Sequence, residues 1–396
     1  MLNNKIKNIL IVLLCGGIVA SILVHSHTQK NTALTTHKKA KWTVMVYMSG
    51  DNDLEEYIVK DIEKEMASVG SSEEVQIVAL ADRGPGYDTS RGDWQSTKLF
   101  HITKNMTADS QSAVSDWGER NMGDKQTLIE FVSWSKSHYP ADHYALYFWG
   151  HGWSWHPGYV MEDDTDMDAL DLDELKQSLP SIGFIDMVGY DGCNMSSVEV
   201  DSVWSGYATA ISSSQEYVDW SGVDYGAVLT SLSSDPSIPA EKLAVISAQS
   251  ASDEKTWSAV AVDNRLKNIV SSINEWSDAL IEGLPKYHKQ YSQAFASTHQ
   301  FIDAFSDRDL YGLVSNINKF VKDDKINIKG KALISALDSA ILFERHARDI
   351  SGVNGISITL YDHSNVDKEE LDYYEKLGIY GNRGWVDFIK AYSKYN

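Results

Sequence analysis

From Lys41 to Ser213 the chain alternates short apolar runs with stretches in which apolar residues recur every three or four positions. The runs Trp42–Met48, Val75–Ala81, Tyr144–Trp149, Phe184–Val188 and Tyr207–Ser213 are nearly continuous, the pattern of strands covered on both faces. Between the first two, Leu54, Ile58, Ile62, Met66 and Val69 mark the buried stripe of a helix over 53–69. Further helices are predicted over 126–137, 172–179 and 196–204, and 97–102 predicts an edge strand. Strands alternating with helices imply parallel pairing and a sheet with helices on both faces. In such sheets ligands bind outside the carboxyl ends of the strands.

Beyond Ala240 the pattern turns mainly helical, most clearly over 240–250 and 265–284, with later strands expected at 257–262 and 355–360. No internal repeat or low-complexity tract interrupts it. The organisation predicted is an export segment over 1–26, a His/Thr/Lys-rich linker over 27–40, a catalytic domain over 41–262 and a C-terminal subdomain over 263–396. A chain of 396 residues with 43% hydrophobic content suffices for one large core with a satellite.

The formal net charge of −21 argues against nucleic acid as a partner, because such a surface repels phosphate backbones and attracts cations. Acidity also serves solubility, so charge alone names no substrate. At the N-terminus, Lys5 and Lys7 precede the apolar stretch Ile9–Val24, and a polar segment follows. This reads as an export signal with Val24-His25-Ser26 as its cleavage site, or as an uncleaved anchor. Lipid attachment at Cys15 is disfavoured by the bulky Leu14 before it. The folded part is therefore expected outside the cytoplasm, secreted or held at a membrane.

Past that segment the chain has a single cysteine, Cys193, so no internal disulfide is open to it. It ends the run Met187-Val-Gly-Tyr-Asp-Gly-Cys193, as His151 ends Tyr144-Ala-Leu-Tyr-Phe-Trp-Gly-His151-Gly152. A buried, inert cysteine is the ordinary alternative, but an Asp-Gly turn at a strand end favours an accessible one. Two strand ends that deliver a thiol and an imidazole suggest a cysteine hydrolase with Cys193 as nucleophile and His151 as base. The backbone N–H groups of Gly152 and Cys193 are the candidate oxyanion donors. No carboxylate or amide that would orient His151 can be named from the pattern, so a dyad is expected. No His-Glu-x-x-His and no Gly-x-Ser-x-Gly occurs, against a metallohydrolase and a serine hydrolase.

These segments resemble the clostripain family of cysteine peptidases in the caspase-like clan. The resemblance lies in Trp42-Thr-Val-Met-Val-Tyr-Met-Ser-Gly-Asp-Asn-Asp-Leu-Glu, Trp-Gly-His-Gly at 149–152, and Tyr190-Asp-Gly-Cys-Asn-Met-Ser-Ser-Val-Glu-Val. It continues in the segment from Ser213 to Gly226, in Phe301-Ile-Asp and in Gly355-Ile-Ser-Ile, and so spans roughly Lys41 to Tyr361. It implies a caspase-like α/β/α sandwich and cleavage after Arg or Lys in an acidic S1 pocket. Asp191, two residues before the nucleophile, is the S1 candidate, with Asp219 or Asp224 as a second acid. The ordinary alternative for Asp191 is a turn aspartate before glycine. Gly192 departs from the alanine usual in the family and is expected to loosen the turn slightly.

Some relatives are activated by cutting themselves near the site. Here Lys176 is the one basic residue between Gly152 and Gly192, inside a predicted helix. Either no internal processing or a cut there after local unfolding is expected, with trimming near Lys38, Lys39 or Lys41 favoured. Calcium, which some of the family need, would fit the run Glu162–Asp168. However, Asp164, Asp166 and Asp168 lack the turn glycine and the final glutamate of an EF-hand, with Ala169 and Leu175 in those places. A solvated acidic loop is favoured, so no cofactor is expected and calcium is the alternative. Trp149, Trp153, Trp155 and Trp220 either rim a cleft or pack between layers. A monomer acting on peptide or protein substrates is expected. The alternatives are a clan relative with a different P1 preference and a surface binding protein that kept the fold without its activity.

Overall fold

The computed structural model describes residues 39–156, 161–252, 255–301, 307–361, 368–379, 381 and 384–395. The export segment and most of the linker lie outside these residues, as do Ile302 and Asp303 of the Phe301-Ile-Asp stretch. The described residues cluster as one compact unit. Among the described residues nine strands form the central sheet: β1 Ala40–Gly50, β2 Val75–Arg83, β3 Lys98–His101, β4 Ser115–Asp116, β5 Ala141–Trp149, β6 Ile185–Asp191, β7 Ala208–Ser213, β8 Thr256–Ala261 and β9 Ile341–His346. They lie in the order β9-β8-β7-β6-β5-β1-β2-β3-β4. The five from β2 across to β7 run parallel. The edge pairs are antiparallel.

The period-two geometry of a strand explains the apolar runs. Along β1, Met45 and Tyr47 enter one core, while Val44, Val46 and Met48 enter the other. The first core is completed by the helices Lys125–His138, Leu172–Ile182 and Asn264–Ala296. The second is completed by the helix that begins at Glu55 and by Tyr225–Ser234 and Ala240–Ser250. This is the mostly parallel, helix-flanked α/β/α sandwich expected.

The elements differ from the pattern-based expectation at five places. The first helix runs Glu55–Lys60, then through the π-helical stretch Asp61–Met66, and ends Ala67–Val69. β6 continues through Gly189-Tyr-Asp to Asp191, because Gly189 packs its backbone against the Tyr147 ring. The long helix continues to Ala296 through Pro285, carried by buried Tyr287, Tyr291 and Phe295. The strand expected at 355–360 is Ser357–Thr359, which pairs with Asp307–Asp309 in a separate ribbon. The sheet's true edge, β9, is half-buried at nearly every position and shows no apolar run. Among the described residues no helix is long and apolar enough to cross a membrane.

Candidate active site

The chain leaves β1 toward β2 on one side and later returns to place β5, β6 and β7 on the other. The direction of winding therefore reverses between β1 and β5, the kind of crevice where open α/β sheets bind ligands. Strand register brings the functional residues to this place. Met48 of β1 aligns with Trp149 of β5, which aligns with Asp191 of β6. His151 and Cys193 each follow two residues later, so equal offsets on adjacent strands deliver them to one rim. Both line a single cavity of about 420 Å³.

The turns that follow are built from close backbone approach. A Cβ at position 152 would lie 2.5 Å from the Cys193 carbonyl oxygen and 3.0 Å from the Cys193 nitrogen, so only glycine fits there. This brings the backbone around Gly152 and Cys193 together, where two N–H groups can serve one oxyanion. At Gly192 an added Cβ would stand 2.8 Å from the Gly150 carbonyl oxygen. The residue expected to loosen the turn instead permits a tight one. Cys193 is half-buried and forms no disulfide. Val218 donates its N–H to Cys193 Sγ at 3.4 Å, which brings the chain after β7 over the thiol.

His151 Nε2 lies 2.7 Å from Asp53 Oδ1, which gives the ring an orienting group that pattern alone had not named. Asp53 stands three residues beyond the end of β1, on the same rim. Its clue was the Ser49-Gly-Asp-Asn-Asp53 turn, legible as a strand end but not as a histidine partner. An Nε2–H donated to Asp53 leaves Nδ1 as the acceptor nitrogen. Asp53 is well exposed, at 57% of its side-chain surface, so this contact orients the ring without burying a charge.

The acidic side of the cavity is Asp191 together with Asp61. Asp191 is buried, and Val223 donates its N–H to Oδ1 at 3.1 Å. Gly222, at φ +52°, makes room for this carboxylate, since a Cβ there would sit 2.4 Å from the same oxygen. Burial first, and then the nearby Asp61 charge, push the Asp191 carboxyl well up, with the Val223 N–H and Tyr225 hydroxyl acting the other way. Asp61 receives a hydrogen bond from Trp149 Nε1 at 2.8 Å. Burial and then Glu65 raise Asp61 to about 7, against the pull of Trp149 and Lys60. Asp61 and Glu65 each stand one position before an apolar stripe residue, Ile62 and Met66. That placement on the flank of the buried face was their only signal in the sequence.

Of the two second-acid candidates, Asp219 lines the cavity but Asp224 does not. Burial acts upward on Asp219, but hydrogen bonds from the Ser221 and Ser252 hydroxyls and from the Ser221 and Gly222 backbone outweigh it and hold the carboxyl low. Asp224 caps the helix Tyr225–Ser234, accepting from the Ala227 N–H at 2.8 Å. Trp149 and the exposed Trp220 line the cavity, the latter stacked on Tyr57 with ring centres 5.4 Å apart. Trp155 is fully buried in the core, and Trp153 is not among the lining residues. Asp168 accepts from Asn121 Nδ2, and Asp164 donates its N–H to the Asp51 carbonyl. The acidic run 162–168 is therefore a folded-back turn and not an EF-hand loop.

Such a site can attack an acyl carbon with sulfur, stabilise the oxyanion and hold a cationic side chain. Comparison with known proteins supports a cysteine protease. The model of the clostripain family matches residues 46–392. Clostripain of Hathewaya histolytica is 28% identical over 189 residues, which cover 41% of this chain and 36% of clostripain. The chain thus matches about a third of that relative's length. Among solved structures, a secreted C11 cysteine protease from Bacteroides thetaiotaomicron bound to an irreversible peptide inhibitor superposes with a TM-score of 0.65 at 17% identity, covering 90% of this chain and 100% of that one. An inactive zymogen C11 protease from Parabacteroides distasonis gives 0.64 at 16% identity, covering 89% and 99%.

Proposed function

The chain belongs to the clostripain family of cysteine peptidases, and on that premise we propose that it is an endopeptidase cutting after Arg or Lys. The observation that carries this reading is the shared cavity, with Cys193 and His151 on one side and the buried carboxylates Asp61 and Asp191 on another. A P1 guanidinium or ammonium that enters beside two acids relieves their mutual repulsion and forms charge-assisted hydrogen bonds. Arginine would suit both oxygens of a carboxylate, while lysine would act as a point charge.

In this reading the Cys193 thiol gives its proton to His151 and sulfur adds to the scissile carbonyl carbon. The oxyanion takes the N–H groups of Gly152 and Cys193. Collapse of the tetrahedral intermediate breaks the C–N bond as the imidazolium protonates the leaving amine, leaving a thioester. His151 then takes a proton from water, whose oxygen adds to the thioester carbonyl and expels the Cys193 thiolate. Asp53 stabilises the imidazolium in both half-reactions. We place the enzyme outside the cytoplasm, because the chain opens with a charged and then apolar export-type segment. The Bacteroides relative is likewise described as secreted.

Fluorogenic peptides that differ only at P1 provide the test. Arg or Lys at P1 should be cleaved at least about thirtyfold better than Gln or Leu, since truncating one partner of a buried charge pair costs roughly 2–5 kcal/mol. Cys193→Ala should abolish turnover with folding intact. Comparable turnover of neutral P1 peptides would sink the specificity, and activity in Cys193→Ala would sink the mechanism.

A further inference from the structure

The sheet orders the rim of the cavity beyond the catalytic pair. His151 follows β5 and Cys193 follows β6, and the chain that leaves β7 carries Tyr217 to the same cavity. β8 runs antiparallel to β7, with Ser258 beside Ser213, so the start of β8 lies at this rim as well. There the Thr256 hydroxyl accepts from the Gln215 and Glu216 N–H groups, both at 3.0 Å. These bonds fix the segment after β7 against the first residue of β8. Lys255, the residue before β8, thereby lines the cavity.

Lys255 differs from the rest of that lining. Besides His151, the other titrating charges are the acids Asp61, Asp191 and Asp219, and among the described residues no other lysine or arginine lines the cavity. The Lys255 Nζ lies over the Tyr217 ring, 4.8 Å from its centre, within cation–π range. It forms no ion pair among the described residues. An ammonium on a free stem would be one more solvated charge. Resting on a ring, it keeps its place, so a partner that meets it loses less freedom.

The direction of the substrate chain follows from the chemistry. His151 protonates the leaving amine, so the departing half lies toward β5, and the acyl half runs the other way, past β7 toward β8. Neighbouring strands are about 4.8 Å apart, which puts the start of β8 about 10 Å from the strand that carries Cys193. An extended peptide covers that distance in about three residues. A side chain one or two residues ahead of P1 therefore reaches Lys255. We propose, on the premise of a basic P1 residue, that Lys255 is a specificity residue that selects an acidic side chain at P2 or P3.

The cavity then reads two opposite charges in a fixed order. Asp61 and Asp191 meet the cation at P1, and Lys255 meets the anion upstream of it. The reverse order would set a carboxylate against the acids and a cation against the lysine, and such like-charge contacts exclude wrong partners. Asp219 does not compete for this role. Its Oδ1 accepts from the Ser221 N–H at 2.7 Å, and its Oδ2 accepts from the Ser252 hydroxyl. Beyond the reach of Lys255 an acidic residue meets only a chain of formal charge −21, which repels it. The preference is therefore local to P2 and P3.

The test uses fluorogenic peptides with arginine at P1, alanine elsewhere, and Glu or Gln at P2, P3 or P5. The readout is the Glu/Gln ratio of kcat/KM within each enzyme. The parent should favour Glu about three- to fivefold at P2 or P3, the scale of a partly exposed ion pair, and not at P5. The preference should shrink toward unity at about 1 M salt, where the screening length is about 3 Å. Lys255→Met should lose it, Lys255→Arg should keep it, and Lys255→Glu should favour Lys over Gln at the same position. Each ratio is internal to one enzyme, so a general loss of activity does not imitate the result. The same ratio, read as Kd on Cys193→Ala enzyme with peptides ending in arginine amide, keeps recognition measurable without turnover. Binding with this preference but no cleavage by the parent would then count against the peptidase reading alone. A parent ratio of unity or less at both positions, an equal preference at P5, or an undiminished one in Lys255→Met would overturn the proposal.

Discussion

Replacing Asp61 with asparagine probes the chemistry of the acidic pocket, and the structure sets the size and sign of the effect. The Asp61 carboxyl is raised from an ordinary 3.8 to about 7. The unfolded chain gives up that proton near pH 4 and the folded chain near pH 7. Stability is therefore complete below pH 4 and lost as pH rises toward 7, by roughly 4 kcal/mol at most for this group. A basic ligand has the opposite preference, because it pairs with the ionised form. Between pH 8 and pH 5 the ionised fraction falls from about nine-tenths to about one in a hundred. A ligand that requires the ionised pocket should then bind about 90-fold more weakly at pH 5, or about 2.7 kcal/mol. The assay is calorimetry of the Cys193→Ala enzyme with a peptide ending in arginine amide, whose guanidinium stays charged throughout. Two buffers of different ionisation enthalpy should reveal close to one proton released per ligand near pH 6. Asp61→Asn should remove the step centred near pH 7 and weaken binding at pH 8, leaving the dependence due to Asp191. An unchanged Kd from pH 5 to 8 in the Asp61-bearing enzyme would refute the placement of the cation between these acids.

Gly152→Ala should lower kcat by at least about a hundredfold, the scale of losing an oxyanion donor, because its methyl collides with the Cys193 backbone; peptide hydrolysis on a variant of unchanged melting point checks this. Asp53→Ala should cost no more than about fivefold in kcat, since an exposed ion pair contributes at most about 1 kcal/mol. A thousandfold loss would instead place that carboxylate in the chemistry. Active enzyme should run as one chain across the dyad on denaturing electrophoresis, because Lys176 lies within the helix Leu172–Ile182 and donates through Nζ to the Leu377 carbonyl at 2.9 Å. Two fragments dividing between His151 and Cys193 would contradict this.

Much of the molecule is legible in its sequence. Period and run length marked the parallel core, because a strand buried on both faces must be apolar at successive positions. Glycines beside a lone cysteine and one of 12 histidines marked the strand ends where chemistry belongs. What pattern could not supply was proximity between polar groups far apart in the chain. Asp53 meets His151 across 98 positions, and Asp61 faces Asp191 from a helix whose stripe registers only its apolar side. Asp224, a plausible pocket acid by spacing, became a helix cap because its carboxylate lies within reach of the Ala227 N–H. Asp51, Asp82, Glu119 and Asp163, with one carboxylate oxygen of each within 4.8 Å of the others, share no motif and come from four separate segments. Local hydrophobic order decides which segments become strands and helices, since burial acts residue by residue. Which charges end up together depends on strand order and register, which are properties of the whole sheet.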